Sequence, residues 1–313
     1  MLNIYKTNIE GKTTKVKDIT QNSWIELINP TQAEIKQVVD ITKTDEDLIM
    51  KLLDDEELPR IETTENATLI VVDTPYLADS TYKHKYDTYP IGLIINNQNY
   101  FITVSLKDLG LLNDFKKNKV KEFYTDKKTR FVIQILLKIA GLYQKELKDI
   151  NNDIHKKEKT LSKSTNNKEL IYLLNIEKTL VYFTTSLKAN DVVLDKLYRG
   201  NVIKLYDEDL ELLDDAIIEN KQGIEMANIY REILTSMTDT YATIISNNLN
   251  DIMKFLASIT IVFSIPTMIA SFLGMNVSLG SFANNDYSFI LIIVISFIIA
   301  GIIAWILKKK DML

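Results

Sequence analysis

An apolar segment near the C-terminal end of the chain, Phe255 to Asn276, reads FLASITIVFSIPTMIASFLGMN. From Phe255 to Leu273 it contains no Asp, Glu, Lys or Arg. As an α-helix this charge-free part is roughly 28 Å long, because each residue adds about 1.5 Å, and that length matches the hydrocarbon core of a bilayer. The sequence therefore predicts a membrane-spanning helix here.

Polar residues interrupt this segment in a regular way. Four hydroxyl residues follow one another at steps of four, three and four: Thr260, Ser264, Thr267 and Ser271. These steps place them on one face of an α-helix, and the same face continues backwards to Leu256 and Met253. Serine and threonine in membrane helices often bond to backbone or to a neighbouring helix, so a dry packing face is one interpretation. The other is a stripe of hydroxyls that contacts water.

A second apolar run, Tyr287 to Leu307, follows a connecting segment, Val277 to Asp286, that lacks lysine and arginine. Lysines flank the pair of runs: Lys254 precedes the first, and Lys308–Lys310 follow the second. Basic residues mark the cytoplasmic side of membrane helices. The sequence predicts a multi-pass protein of the cell membrane, with 277–286 outside, a second span over 287–307, and both termini, including the basic tail 308–313, in the cytoplasm.

The residues before the membrane divide by pattern into three segments. Residues 1–128 alternate β-rich runs with two helices, which predicts a cytoplasmic α/β domain. Residues 129–204 contain two long helical patterns joined by a polar break, which predicts an antiparallel hairpin. Residues 205–276 contain only one proline, Pro266, and predict a stalk helix that continues directly into the first span. We expect the hairpin helices to be exposed and packed on the stalk.

Within the α/β segment, local patterns predict individual elements. Five runs are rich in β-forming residues: Leu2–Tyr5, Ser23–Leu27, Thr68–Val72, Tyr89–Ile95 and Tyr100–Val104. Two predicted helices, Thr31–Ile41 and Thr44–Leu53, each begin at a threonine in a capping position. The region is acidic at Asp45–Asp47 and again at Asp54–Glu57. It is typical of a solvated surface, with a divalent-ion site between subunits as the second candidate.

Composition excludes several classes of protein. The net charge of -5 over 313 residues gives no basic surface for nucleic acid. The chain has no cysteine, and His84 and His155 are its only histidines, which argues against thiolate and imidazole metal sites. No nucleophile, base and orienting group lie together near a glycine-rich turn, so we expect neither an enzyme nor an organic cofactor.

The order of motifs resembles the CorA family of divalent-cation channels. The triplet Gly274, Met275, Asn276 closes the first apolar run, and the second run and the lysine cluster follow it. Other features agree in position: Asn247, Asn248 and Asn250 before the membrane, Pro266 within it, IYREIL at 229–234 and LDDEELPRIE at 53–62. The resemblance covers essentially the whole chain.

This resemblance implies a funnel-shaped homopentamer in which the first span lines a pore and the second lies outside it. Two helices cannot enclose a pore, so a water-facing stripe itself requires a cyclic homo-oligomer; the number five comes from the family. We expect Gly274, Met275 and Asn276 to form the selectivity filter above the pore-lining hydroxyls. At the other end, Met253 and Leu256 are expected to form an apolar gate.

The expected substrate is hydrated Mg²⁺, with Co²⁺ and Ni²⁺ as further candidates. Mg²⁺ gives up its waters reluctantly, so a ring of neutral Asn276 oxygens suits an ion that keeps its hydration shell. The resemblance also implies that acidic residues on the stalk bind Mg²⁺ between subunits and close the pore. Asp214 and Asp215 are the candidates, and a solvated helix face is the alternative interpretation.

Three features depart from the family pattern, two single residues and one segment. Leu273 occupies a place that is usually tyrosine, Pro266 is one residue away from its usual distance to the triplet, and the connecting segment offers only Asn284, Asn285 and Asp286 in place of an acidic pair. Two alternatives therefore stay open. One is a related zinc transporter, and the other is a membrane-anchored helical scaffold without transport activity.

Overall fold

The computed structural model describes residues 1–77, 86–161, 167–200, 202–276 and 287–312. By their contacts they form two compact units, Met1–Met237 and Thr238–Leu313. The first unit contains a β-sheet and the helices around it, and the second contains the apolar helical segments. The predicted outer loop, 277–286, and most of the polar break of the hairpin, 162–166, lie outside the described residues.

A seven-stranded sheet in the order β2-β1-β3-β7-β6-β5-β4 forms the centre of the first unit. The strands are β1 (Leu2–Thr7), β2 (Thr13–Val16), β3 (Trp24–Ile28), β4 (Arg60–Thr63), β5 (Ala67–Leu77), β6 (Tyr86–Asn96) and β7 (Phe101–Ser105). Neighbouring strands are antiparallel, except that β3 and β7 run parallel. The predicted α/β class of this part of the chain is confirmed.

Two strands of the sheet were not predicted from the sequence, and both are edge strands. β2 and β4 have four residues each and are largely exposed or half-buried, so they lack the apolar alternation that indicates a strand. β5 and β6 are longer than predicted because they pair with each other over eleven residues each. Pairing with a neighbouring strand, rather than the local sequence, sets these lengths.

Helix α1 (Gln32–Thr42) begins as predicted, whereas α2 (Glu46–Lys51) does not. Thr31 and Glu34 form a reciprocal capping box at the start of α1. The predicted cap of the second helix, Thr44, was wrong, because Asp45 is the N-cap. The Thr44 side chain is buried, and its hydroxyl accepts hydrogen bonds from Thr42 Oγ1 at 2.9 Å and Asn96 Nδ2 at 3.3 Å.

The sheet has a buried core on each face. On one face, α1 and α2 pack in a core with these residues: Ile25, Leu27, Ile35, Val38, Leu48, Ile49, Leu69 and Ile102. On the other face lies α4 (Lys128–Leu161), whose Phe131 ring centroid is 5.1 Å from that of Trp24 and 4.6 Å from that of Phe101. A short helix, α3 (Asn113–Lys116), adds Phe115 to this aromatic core, 5.0 Å from Phe131.

The hairpin of α4 and α5 (Asn167–Arg199) packs on the sheet as well as on the following helix, α6 (Asp207–Leu273). The prediction that both hairpin helices are exposed was therefore wrong in part, because they also cover the sheet. Toward α6, Gln144 Nε2 donates to the Glu219 carbonyl at 2.9 Å, and Asn220 Nδ2 donates to the Leu187 carbonyl at 3.0 Å. Gly223 allows the close approach, since a Cβ atom there would lie 3.2 Å from Leu187 Cδ2.

Helix α6 is continuous over 67 residues and includes Pro266. This length agrees with the predicted stalk that runs into the first span. The last helix, α7 (Ser288–Lys309), has 22 residues and is apolar along its whole length up to the terminal lysines. The two helices together match the predicted pair of C-terminal apolar helices.

A half-buried carboxyl group, that of Asp73, joins α5 to the edge of the sheet. β4 begins at Arg60, opposite Val71, so Asp73 lies beyond its partner strand. Asn190 of α5 takes the place of that strand, since its side chain accepts from the Asp73 amide at 2.9 Å and donates to the Asp73 carbonyl at 2.8 Å. Ser186 Oγ donates to the Asp73 carboxyl at 2.6 Å. Burial raises the pKa of Asp73 to about 6, and the Ser186 hydrogen bond opposes that shift.

We expect this junction to be more stable in acid than at neutral pH. Because the folded-state pKa of Asp73 is raised, its contribution is fully present below about pH 4 and is lost as pH rises through about 6. Hydrogen exchange of the β5 amides, corrected for intrinsic rates, should show more protection at pH 5 than at pH 7, by on the order of 1 kcal/mol. Asp73→Asn should abolish the difference, and an unchanged pH slope in that variant contradicts the assignment.

Candidate ion-conduction site

Among the described residues, two helices are long and apolar enough to cross a membrane. They are α6 and α7, whose most apolar 18-residue windows have mean hydropathies of 2.0 and 3.1. Only 11% of the residues in each window are buried within the chain. Most of the surface of both segments therefore requires lipid or other copies of the chain to cover it.

One face of α6 is covered within the subunit. Ser258 and Ile265 are buried, and Val262, Ile269 and Leu273 on the same face are half-buried. A narrow face of α7 is likewise covered at Ser296, Ala300 and Leu307. Ser258 Oγ donates to the Met312 carbonyl at 2.8 Å, so this part of α6 contacts the turn after α7. The start of the first span and the end of the second lie together.

The hydroxyl stripe lies on the opposite face of α6. Each stripe residue follows a covered residue by two positions, which is a rotation of about 200° around the helix axis. The pairs are Ser258 with Thr260, Val262 with Ser264, Ile265 with Thr267, and Ile269 with Ser271. All four stripe residues are exposed. The described elements of the same subunit leave this face exposed, and its contact with water stays a prediction.

Three of the stripe hydroxyls bond to their own helix. Thr260 Oγ1 donates to the Leu256 carbonyl at 2.8 Å, Ser264 Oγ to Ile261 at 2.8 Å, and Thr267 Oγ1 to Phe263 at 3.3 Å. Each bond uses the hydroxyl hydrogen and leaves oxygen lone pairs that only accept. Waters around a cation point their hydrogens outward. The stripe is therefore chemically suited to a hydrated cation.

The triplet follows the end of α6. Gly274 N donates to the Ala270 carbonyl at 3.0 Å, and the side chains of Met275 and Asn276 are exposed. A Cβ atom on Gly274 would make only ordinary contacts, the nearest at 3.4 Å to the Ala270 oxygen. Nothing within the described part of one subunit therefore demands glycine here.

The remaining predicted residues are exposed on α6. Met253 and Leu256 are 63% and 57% exposed, at the start of the apolar segment. Asp214 and Asp215 are exposed too, and no group of three or more His, Asp or Glu side chains within the described ranges is arranged to hold a metal ion. In the acidic run near residue 55, Glu57 forms an ion pair with Arg60. A single subunit thus contains no assembled cation site in its described part.

Comparison with known proteins identifies the family. The family model described as CorA-like Mg²⁺ transporter protein matches residues 20–309. The cobalt/magnesium transport protein CorA of Methanocaldococcus jannaschii is 29% identical over 294 residues, which cover 92% of this chain and 90% of the relative. CorA of Thermotoga maritima is 21% identical over 315 residues, 97% of this chain and 89% of the relative. The chain belongs to the CorA-like Mg²⁺ transporter family.

Solved structures agree with this assignment. The complete structure of the CorA magnesium transporter from Methanocaldococcus jannaschii has a TM-score of 0.85 and 26% identity, covering 98% of this chain and 96% of that one. The full-length CmaX protein has a TM-score of 0.71 at 14% identity, covering 99% and 97%, which shows the fold alone. The predicted architecture of an α/β domain, a long helix and two C-terminal apolar helices is confirmed.

Sequence reasoning missed Ser258. It is a hydroxyl in the same apolar segment but off the stripe, and it is fully buried where the stripe is exposed. The sequence did contain one indication, since Ser258 precedes Thr260 by two positions and therefore lies on the opposite side of the helix. The tertiary partner, the Met312 carbonyl, is 54 positions away and no local pattern indicates it.

The stripe predicts a pattern of chemical access. The chain has no cysteine of its own, so single cysteines can be introduced without background. We expect cysteine at 260, 264, 267 or 271 to react with a water-soluble thiol reagent in membranes at least tenfold faster than cysteine at 261, 263 or 268, which occupy other exposed faces. Equal reactivity at the two sets of positions contradicts a water-facing stripe.

Proposed function

We propose that five copies of this chain form a channel that passes hydrated Mg²⁺ down its electrochemical gradient. Co²⁺ and Ni²⁺ are the further substrates of the same pathway. The observation that supports the proposal most is the acceptor-only hydroxyl stripe on the face of α6 opposite its intramolecular contacts. It ends at the exposed triplet Gly274, Met275 and Asn276.

Assembly follows from the surfaces of the subunit. Two helices cannot surround a water-filled path, but a ring of identical subunits can place one stripe from each copy around an axis. Among the described residues, a Cβ atom on Gly274 would meet nothing closer than the Ala270 oxygen at 3.4 Å, and a glycine at this position suits close approach of neighbouring backbones at the outer end of the stripe. The outer helix α7 then contacts lipid. The number five follows the family resemblance.

The filter acts on the hydration shell. Stripping Mg²⁺ of its tightly held waters is slow, so a fast pathway must bind the hydrated ion. Asn276 offers side-chain oxygens that accept hydrogen bonds from those waters and has no charge to trap the ion. The stripe hydroxyls continue this acceptor surface below. A neutral, acceptor-rich path therefore selects a hydrated cation without holding it.

The gate lies at the other end of the stripe. Met253 and Leu256 are exposed apolar side chains before Thr260. A ring of such side chains closes a pore by excluding water when they approach one another. We place this end in the cytoplasm because lysines flank it at Lys254 and Lys308–Lys310.

The membrane potential is sufficient to drive uptake. A divalent cation that moves inward gains about 4.6 kcal/mol per 100 mV, twice the value for a single charge. This energy corresponds to more than three factors of ten in concentration. The proposed mechanism therefore uses no nucleotide and no proton coupling.

Cytoplasmic Mg²⁺ closes the channel in this proposal. Carboxylates accept Mg²⁺ together with its waters, and Asp214 and Asp215 are exposed on α6, where they are available to a neighbouring copy. Unoccupied carboxylates about 4 Å apart repel by about 1 to 4 kcal/mol per pair, depending on the effective dielectric constant. Binding of the ion removes this repulsion and favours the closed assembly.

The two alternatives are less well supported. The likeness to the cytoplasmic domain of ZntB from Vibrio parahaemolyticus, at 11% identity and a TM-score of 0.63, shows the fold alone. A scaffold without transport activity has no use for an open acceptor stripe. Purified protein in liposomes distinguishes the cases, since a zinc transporter moves Zn²⁺ in preference to Mg²⁺ and a scaffold moves neither.

Asn276→Ala tests the filter. We expect Mg²⁺ uptake into liposomes to fall at least tenfold, toward the rate of protein-free liposomes. Alanine at position 276 of each subunit offers the hydrated ion no side-chain oxygen. The matched control is Ser296→Ala on α7, which removes a hydroxyl that is buried and bonded to the Ile292 carbonyl at 2.7 Å. The control should transport like the unaltered protein. Persistent uptake by Asn276→Ala shows that the filter lies elsewhere.

Asp214→Asn with Asp215→Asn tests the regulatory site. We expect the Mg²⁺ concentration that protects α6 against trypsin to rise about tenfold, which corresponds to about 1.4 kcal/mol. Glu232→Gln is the control, because Glu232 is an exposed acidic residue farther along the same helix. Protection that is unchanged in the double variant, or equally weakened in the control, rejects these two residues as ligands.

A further inference from the structure

The Ser258 hydroxyl of the membrane segment bonds differently from those of Thr260, Ser264 and Thr267. Thr260 and Thr267 donate to carbonyls of their own helix, whereas Ser258 Oγ donates to the Met312 carbonyl at 2.8 Å. Ser258 is also fully buried, while the stripe hydroxyls are exposed. A buried hydroxyl donor needs an acceptor, because the free-energy cost of burying it unpaired exceeds the net stability that a typical hydrogen bond contributes. The contact is therefore specific.

The acceptor belongs to an ordered turn. After α7, the Met312 amide donates to the Leu307 carbonyl at 3.1 Å and the Asp311 amide donates to the Lys308 carbonyl at 3.2 Å. Asp311 has a φ of 52°, in the left-handed region. These two bonds and the left-handed residue define a Schellman motif, which fixes the direction of the chain as it leaves a helix. The motif fixes the Met312 amide, and the Met312 carbonyl that Ser258 contacts belongs to the same residue.

The hydrogen bond of Ser258 lies on the side of α6 opposite the proposed gate residue Leu256. Ser258 follows Leu256 by two positions and precedes Thr260 by two, so it is about 200° around the helix from both. Rotation of α6 that moves Leu256 relative to a pore axis moves Ser258 by the same angle. Such a rotation must break the bond or displace the turn after α7.

We propose that Ser258 is a positioning residue for gating, whose bond to the turn at Lys310–Met312 fixes the rotation of α6 at the level of Met253 and Leu256. This inference rests on the proposed function, since it takes these two side chains as the gate. The bond stabilises the closed position together with the regulatory ion. Its loss leaves the conducting path intact and shifts only the balance between closed and open channels.

Liposome flux measured against internal Mg²⁺ tests the proposal. Ser258→Ala should raise the Mg²⁺ concentration for half-closure about fivefold, the equivalent of one neutral hydrogen bond. The maximal flux and the preference among Mg²⁺, Co²⁺ and Ni²⁺ should not change. A purely structural role would lower the amount of assembled protein without moving the half-closure concentration.

The turn provides a matched pair of variants. Asp311→Asn and Asp311→Val remove the same charge, but only asparagine adopts the left-handed conformation readily, because valine is β-branched. We expect Asp311→Val to shift half-closure as Ser258→Ala does, and Asp311→Asn to leave it unchanged. Equal shifts in the two Asp311 variants assign the effect to charge and overturn the proposal. So does an unshifted Ser258→Ala channel.

A second readout does not depend on transport. In the cysteine-free chain, Ser258→Cys should react slowly with a water-soluble maleimide, because the site is fully buried. Adding Asp311→Val should increase the rate at least tenfold, and adding Asp311→Asn should not. Equal rates in both backgrounds contradict the proposed contact. If the unaltered protein passes no divalent ion, the proposed function fails, and the maleimide rates still decide whether the contact exists.

Discussion

The proposed assembly depends on one physical mismatch, that between the hydroxyl oxygens on one face of a membrane-spanning helix and the hydrocarbon of the bilayer. Hydrocarbon offers no hydrogen-bond partner, and the covered side of α6, at Ser258 and Ile265, points the other way. Bonds to backbone carbonyls use the hydroxyl hydrogens of Thr260, Ser264 and Thr267 but leave their lone pairs free to accept. In a lone subunit those lone pairs face lipid. In the proposed assembly, copies of the chain around a common axis give them water and hydrated cations.

Helix α6 contains both a segment that packs on the hairpin and an apolar segment of the membrane-spanning type. Near Glu219 and Gly223 it packs on the hairpin through side-chain-to-carbonyl hydrogen bonds and close approach to Leu187. From Phe255 onward its side chains are those of a membrane helix. We propose that the backbone hydrogen bonds of α6 make the helix stiff between the exposed carboxylates near Asp214 and the apolar side chains near Leu256. In the proposed mechanism this stiffness couples ion binding to the gate.

The parts predicted from sequence are those with strong periodic signals. The charge-free run from Phe255 to Leu273 and the steps between its hydroxyls predicted a span and its polar face, and the triplet at Gly274 predicted the family. Local sequence patterns did not predict the elements and contacts that depend on a partner distant in the chain. The edge strands Thr13–Val16 and Arg60–Thr63 are defined by their neighbours, and Thr44 is held by Asn96 from a distant strand. Ser258 belongs to the same class, since its acceptor is far away in the chain.

The central claim is that identical subunits place their hydroxyl stripes around one water-filled axis. The most direct measurement is a structure of the protein in lipid nanodiscs by electron cryo-microscopy, at a resolution that shows side chains and ordered solvent. The account predicts a ring of five subunits in which Thr260, Ser264, Thr267 and Ser271 of every copy face a shared solvated path, with Asn276 at its outer end. A monomer, or a ring in which these side chains pack against dry neighbours, contradicts it.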